Sequence, residues 1–280
     1  MKISLLTDSP KHNLALMKIS AWHKEQGDDV ILNAPIFKSD YRYASILFEK
    51  NMAIFDADIY GGPAVKDSIL PLEIEISKPD YTLFNFQYSL GYTYRPCSNS
   101  CFFCKVPTFN HPDIDHHSIW EFHNKKFDTI CLLNNNTFQD PKWKETFQEI
   151  WDADLFVMDE NGYDLRLLNE EKALALKKTK FKTKLHFAWD RMQDETLILE
   201  GLKLLNKNKL NGSTVYILIG YDTTVEADLY RCQKIIEYKQ TPYIMPFKRN
   251  KQNMRFKRFI DSFMWRKYKT VSEAWKNYIR

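Results

Sequence analysis

No run of about eighteen apolar residues occurs anywhere in this 280-residue chain, which excludes an ordinary membrane-spanning helix. The opening residues Met1 to Asp8 hold only a short apolar run closed by an acid. A secretory leader needs a longer apolar region and a small-residue cleavage site, so none is expected and a cytoplasmic protein is. Cysteine is scarce, with five residues; an odd number without a secretion signal argues against a disulfide framework. There is no low-complexity tract and no second cluster of cysteines. The net charge is only +4, which by itself points to no partner. What is abundant is apolar surface, 44% of residues with 15% aromatic, ample for a buried core and incompatible with global disorder.

The charge is unevenly spread. Lys248 to Arg280 contains eleven Lys or Arg against Asp261 and Glu273, so a basic tail follows a mildly acidic body. Such a tail fits either an anionic partner or the solvated face of a C-terminal helix. The tail aromatics Phe256, Phe259, Phe263, Trp265 and Tyr268 lie at near-helical spacing, which favours a packed face over a base-stacking platform.

Periodicity divides the chain into three parts. Residues 1–80 read as a small, doubly wound α/β lobe: a strand at Ile3–Leu6, an amphipathic helix from Leu14 to Gln26 stopped by Gly27, and a strand at Asp29–Leu32. A third strand is expected at Ala57–Tyr60, ending in Gly61-Gly62-Pro63. That glycine pair lets backbone approach either a ligand or a neighbouring strand. Leu70 to Asp80, with two prolines, reads as a connection between lobes. Residues 81–250 alternate strand and helix: strands at 89–94, 129–133, 155–158, 184–188, 214–219 and 243–246, helices at 143–151, 170–178, 195–206 and 225–238. Six βα repeats predict a partial parallel (β/α)6 barrel. Residues 251–280 form the basic, aromatic helical tail. Barrel chemistry sits at the C-terminal ends of strands, so Asn134, Asn135, Asp190, Gly220 and Asp222 are site candidates.

The densest chemistry is a loop after the 89–94 strand, Gly91-Tyr92-Thr93-Tyr94-Arg95-Pro96-Cys97-Ser98-Asn99-Ser100-Cys101-Phe102-Phe103-Cys104, spaced C-x3-C-x2-C. Three thiolates on one loop can hold three irons of a [4Fe–4S] cubane and leave the fourth iron open, an arrangement suited to catalysis. Structural zinc favours four protein ligands in paired C-x2-C units, and no second pair exists. A Cys3His zinc site remains the alternative, with His111, His116 or His117 as fourth ligand. It would make the chain a non-catalytic metal- or nucleic-acid-binding protein.

This segment resembles the cysteine motif of the radical SAM superfamily, with an aromatic, Phe103, just before the last cysteine and Lys105-Val106-Pro107 following. The wider pattern is similar to the methylthiotransferase-like and cobalamin-domain-containing branch, over roughly residues 80–250. The resemblance implies that Cys97, Cys101 and Cys104 ligate a [4Fe–4S] cluster whose open iron chelates S-adenosylmethionine. It also implies an electron donor such as a flavodoxin or ferredoxin. Phe103 matches the position that lines the adenine. Gly220, within Ile217-Leu218-Ile219-Gly220-Tyr221-Asp222, matches the strand that supports it, although the family's first glycine and final glutamate are absent. Asn134-Asn135-Asn136 stands where the family's Gly-Gly-Glu binds the SAM amino group, without the glycines or the acid. Asp190 is placed to bond the ribose, or else to cap the helix that begins near Asp194-Glu195. The basic tail slightly favours a nucleic acid or nucleotide as substrate. No β-rich RNA-binding domain follows the barrel, which counts against a standard tRNA methylthiotransferase. The N-terminal lobe resembles a degenerate cobalamin-binding domain: Asp8-Ser9-Pro10-Lys11-His12 carries the acid and histidine of the D-x-H-x-x-G loop at the wrong spacing.

Overall fold

The computed structural model describes residues 1–9, 11–34, 38–65, 69–108 and 113–278. Contacts divide the chain into two compact units, Met1–Arg95 with Cys104–Leu133, and Pro96–Phe103 with Asn134–Arg280. Both are α/β with parallel sheets.

The first unit opens with β1 (Lys2–Thr7), α1 (Leu14–Glu25), β2 (Asp29–Leu32), β3 (Tyr41–Ser45) and β4 (Ile59–Gly61). They form a parallel sheet ordered β2-β1-β3-β4. The Asn13 side chain caps α1 by accepting the Leu16 amide at 3.1 Å, and Gly27 at φ 79° turns the chain toward β2. Apolar residues of β1 and α1 (Ile3, Leu5, Leu16 and Ile19) meet Ile74 from α2 (Leu72–Glu75), a single helical turn inside the expected connection. The strand Tyr41–Ser45 is fixed by its parallel pairing with Ile3–Thr7. Gly62, at φ 88°, brings the chain so close that an added Cβ would lie 2.7 Å from the Ile46 amide nitrogen. Gly62 therefore serves close approach to the chain at the end of β3. Farther along, β5 (Ser89–Gly91) pairs in parallel with β6 (Thr129–Leu132).

The second unit contains α3 (Trp143–Asp152), β7 (Phe156–Asp159), α4 (Glu170–Lys178), β8 (Lys180–Phe181), β9 (His186–Ala188), α5 (Glu195–Lys207), β10 (Thr214–Ile219), α6 (Val225–Glu237), β11 (Thr241–Pro246), α7 (Lys251–Asp261) and α8 (Val271–Tyr278). β7 pairs with β8, and β9, β10 and β11 form a parallel sheet ordered β11-β10-β9. Along β10, buried Val215, Ile217 and Ile219 alternate with half-buried Tyr216 and Leu218, the period of a strand covered by helices on one face. That face meets Phe147, Phe187, Leu202, Leu205 and Ile235 in one continuous core. The tail joins it: Phe256, Phe259 and Ile260 of α7, and Val271, Ala274 and Trp275 of α8, are all buried there. Phe256 and Phe259 are thus a packed face. β11 carries Pro242 and Pro246 on its pairing register with Val215 and Ile219. The sheets are open, and no closed barrel forms among the described residues.

Candidate functional site

The segment Pro96–Phe103, with Cys97 and Cys101, belongs to the second unit and is held by side chains of that unit. The Ser98 amide donates to Gln139 Oε1 at 2.7 Å, and Asn99 Nδ2 donates to Asp164 Oδ2 at 3.2 Å. Phe102 stacks on Tyr221 with centroids 5.7 Å apart, and Phe103 meets the same ring edge-on at 6.2 Å. Tyr221 follows Gly220 at the end of β10. The loop aromatics and the β10 end, two features the sequence set apart as related, therefore meet.

Asp164 is the hub of this arrangement. Its carboxylate also accepts Asn136 Nδ2 at 3.0 Å and one edge of the Arg166 guanidinium, Nε at 2.8 Å and Nη2 at 2.7 Å. Burial works to raise the Asp164 pKa, but the Arg166 bonds and charge outweigh it, and the carboxyl is held below its ordinary value. Arg166 passes the chain on to Asp194 at 3.3 Å, which also accepts Arg191 Nε at 3.0 Å. The Asp164 carboxylate and, less strongly, that of Asp194 hold the Arg166 proton more tightly than usual, against the effect of burial. Asn136 is buried, its amide orientation set by Asp164, and its Oδ1 has no hydrogen-bond partner among the described residues.

Of the other expected residues in this unit, Asn134 is buried. Its side chain donates to Thr137 Oγ1 at 3.3 Å and its carbonyl accepts Asn161 Nδ2 at 3.2 Å. Asn135 is half-buried beside it. Asp190 ends β9. Burial pushes its carboxyl above the ordinary value against the pull of the Leu218 amide and the Arg231, Arg166 and Arg191 charges. It does not cap α5, whose N-cap is Asp194. Beneath these strand ends the fully buried Arg231 donates to the Trp189 carbonyl at 2.6 Å, the Asp190 carbonyl at 3.1 Å and the Leu218 carbonyl at 2.8 Å, and pairs with Asp228. Gly220 has φ 72°, and an added Cβ would fall 2.0 Å from Asn253 Nδ2, so its glycine is required by the turn itself.

Cys104 belongs to the first unit, where its sulfur accepts the Val106 amide at 3.4 Å. None of the five cysteines is in a disulfide, and Cys97, Cys101 and Cys104 are all part-exposed. Cys131 and Cys232 are buried in β6 and α6, and burial pushes the Cys232 thiol far up, the state of inert core thiols. Among the described residues no group of three or more His, Cys, Asp or Glu side chains is placed to hold a metal ion.

The histidines of the zinc alternative are differently engaged. His117 sits between Asp113 Oδ1 at 2.9 Å and Glu121 Oε2 at 2.8 Å, so both ring nitrogens are occupied. His111 lies outside the described residues. Asp8, the acid of the cobalamin-like pattern, accepts the Leu47 amide at 2.6 Å, the Phe48 amide at 3.1 Å and Asn51 Nδ2 at 2.8 Å. It ties the loop after β3 to the sheet.

Comparison with known proteins adds no assignment: no protein-family model matches the chain, and no curated protein matches it. The residues that sequence reasoning missed are Asn99, Gln139, Asp164 and Arg166. Asp164 and Arg166 follow a strand, so the rule that drew attention to Asn134 and Asp190 could have found them. Asn99 and Gln139 carry no such signal.

Proposed function

We propose that this chain is a radical SAM enzyme: Cys97, Cys101 and Cys104 hold a [4Fe–4S] cluster and S-adenosylmethionine binds beside it. The observation that carries the reading is the C-x3-C-x2-C loop with Phe103 before its last cysteine. The βα units would then compose a partial (β/α)6 barrel, with a small doubly wound lobe at residues 1–80.

The donor set fits such a cluster. Three part-exposed thiols lie within eight residues, none in a disulfide. The Val106 amide donates to the Cys104 sulfur, the kind of bond that favours thiolate and tunes cluster potential. The thiols are not gathered into a ready metal group, so loading would rearrange this irregular loop, as metal binding commonly does. The unpartnered Asn136 Oδ1 fits an ammonium donor, which answers the missing acid of the Gly-Gly-Glu position. Phe103 offers apolar surface to an adenine, and Asp190 a carboxyl to a ribose. When bound, the cluster and S-adenosylmethionine would supply a 5′-deoxyadenosyl radical for hydrogen abstraction, given one electron from a flavodoxin- or ferredoxin-like donor. The part of Asp164 is to hold the Cys97–Cys101 turn by Asn99, and that of Arg231 to fix the strand-end carbonyls.

The test is anaerobic reconstitution with iron and sulfide, addition of S-adenosylmethionine and dithionite, and an assay for 5′-deoxyadenosine. A brown protein whose deoxyadenosine vanishes in Cys101→Ala is expected. A colourless protein that binds one zinc, and loses it in His116→Ala, would overturn the reading in favour of the Cys3His alternative.

A further inference from the structure

Three aromatic rings in the second unit lie open to solvent at one end of its sheet. Phe102 is 83% exposed, Phe247 43% and Tyr221 36%. They are also in mutual contact. Phe102 stacks on Tyr221 at 5.7 Å and 30°, and Tyr221 meets Phe247 at 5.0 Å and 72°. Core packing does not explain them, since the apolar core of this unit does not include them. Contiguous exposed aromatic surface of this kind marks a binding site.

The chain continues from Phe247 directly into Lys248, Arg249 and the first turn of α7 at Lys251, all exposed. Among the described residues no acidic side chain pairs with Lys248, Arg249, Lys251 or Arg258. Other basic residues of this unit do have acidic partners: Lys144 pairs with Glu171, Lys207 with Glu170 and Lys234 with Glu237. Unneutralised cations beside stacked rings are the two parts of a site for single-stranded nucleic acid: the rings take a base, the cations the phosphates. A duplex offers no free base face to such rings. The exposed Asp222 next to Tyr221 repels phosphate there, so a bound strand runs along the Lys248–Lys251 side.

We propose that the Phe102–Tyr221–Phe247 cluster and the basic segment Lys248–Lys251 form a docking site for single-stranded nucleic acid. This deepens the proposed function by naming a substrate class. It rests on that reading only for the chemistry, because binding is measurable without it.

The experiment titrates full-length protein into fluorescein-labelled oligouridylate and oligothymidylate of about ten nucleotides, within the range of single-strand sites. Anisotropy is followed between about 50 and about 200 mM salt. Binding of either or both strands is expected, with Phe247→Ala weakening it about tenfold and Phe247→Trp restoring it. The double variant Lys248→Ala/Arg249→Ala should flatten the slope of log affinity against log salt by about 1.4, two phosphates at about 0.7 each for single strands. Wild-type protein that fails to bind either strand overturns the proposal, as does equal affinity for a duplex of the same length. So does Phe247→Ala binding like wild type, or binding to phosphatidylserine vesicles in place of the oligonucleotides. Oligonucleotide binding by a protein that makes no deoxyadenosine would sink the radical SAM reading and leave this site standing. Deoxyadenosine without oligonucleotide binding would do the reverse.

Discussion

The two units share a parallel α/β plan and are held together by different means. In the second, β10, β11, α5, α6, α7 and α8 bury side chains in one continuous core rich in large rings, Phe147, Phe187, Phe256 and Phe259 among them. In the first, the sheet ordered β2-β1-β3-β4 rests on small separate clusters, one around Ile3, Leu5 and Leu16, another of Leu6, Ala44 and Ile46. Carboxylates do much of the joining there. Asp8 holds the loop after β3, and Asp80 accepts Ser20 Oγ at 2.6 Å, Lys24 Nζ at 2.6 Å and the Thr82 amide at 2.9 Å. Glu75 takes Lys18 and Arg95 together. Apolar area responds to cavities and little to pH, while bonds to carboxylates respond to protonation. The same parallel α/β plan is therefore open to different insults in the two units.

The strongest way to break the comparison from the second-unit side is Phe147→Ala. The ring is fully buried, and its removal should cost about 3–5 kcal/mol in denaturant unfolding followed by tryptophan fluorescence. A loss below about 1 kcal/mol would mean that the core collapses easily and is not close-packed. Next in size is Arg231→Met, which leaves Asp228 buried without its cation and three strand-end carbonyls without their donor. A loss of about 3 kcal/mol is expected, with altered near-ultraviolet dichroism from the neighbouring Trp189. Wild-type stability in that variant would show that the pair is not what braces the strand ends.

Acid should act first on the other unit. Burial works to raise the pKa of Asp8 and Asp80, but their hydrogen bonds win and hold both below the ordinary carboxylate value. Stability from such groups is present above the unfolded value of about 3.9 and is lost as pH falls through the folded values. Amide hydrogen exchange between about pH 4 and about pH 2 should therefore open β1–β3 before β9–β11. Opening in the reverse order would contradict the division of labour. The smallest effect belongs to His117. Burial lowers its pKa, but Asp113 and Glu121 together bring it above the ordinary value. Its contribution is present below the unfolded value of about 6.5 and fades as pH rises through the folded value. Imidazole proton shifts should report a midpoint above that of a model histidine, and Glu121→Gln should bring it down.

How much of this was legible beforehand follows from the range of the forces involved. β2, α4 and β10 were readable to the residue, because alternation or amphipathic spacing fixes them within their own length. The strand expected at 89–94 stops at Gly91, because the parallel pairing with Ile130–Leu132 covers Ser89–Gly91 among the described residues. β8 went unseen because two residues carry no period. The boundary expected near residue 80 does not coincide with the observed units: Ser89–Gly91 and Thr129–Leu132 group with the N-terminal part, through pairing distant in sequence. At the site, the cysteines and Phe103 stood out by spacing, and Gly220 by its place after a strand. Asp164 did not, because a hub is defined by what converges on it from residues 99, 136 and 166, which no local pattern contains.

The prolines of β11 have a consequence for the molecule in a crowded solution. Thr241 and Phe247 donate their amides inward, to Ser213 and Ile219 at 2.9 Å each, so the even-numbered residues between them face the open edge of the three-stranded sheet. Two of those three, Pro242 and Pro246, have no N–H to give, and only Ile244 does. An incoming chain would find a single donor where a strand-to-strand ladder needs several. This edge is thereby blunted by residues that cost the sheet no internal bond, a safeguard against aggregation written into the backbone itself.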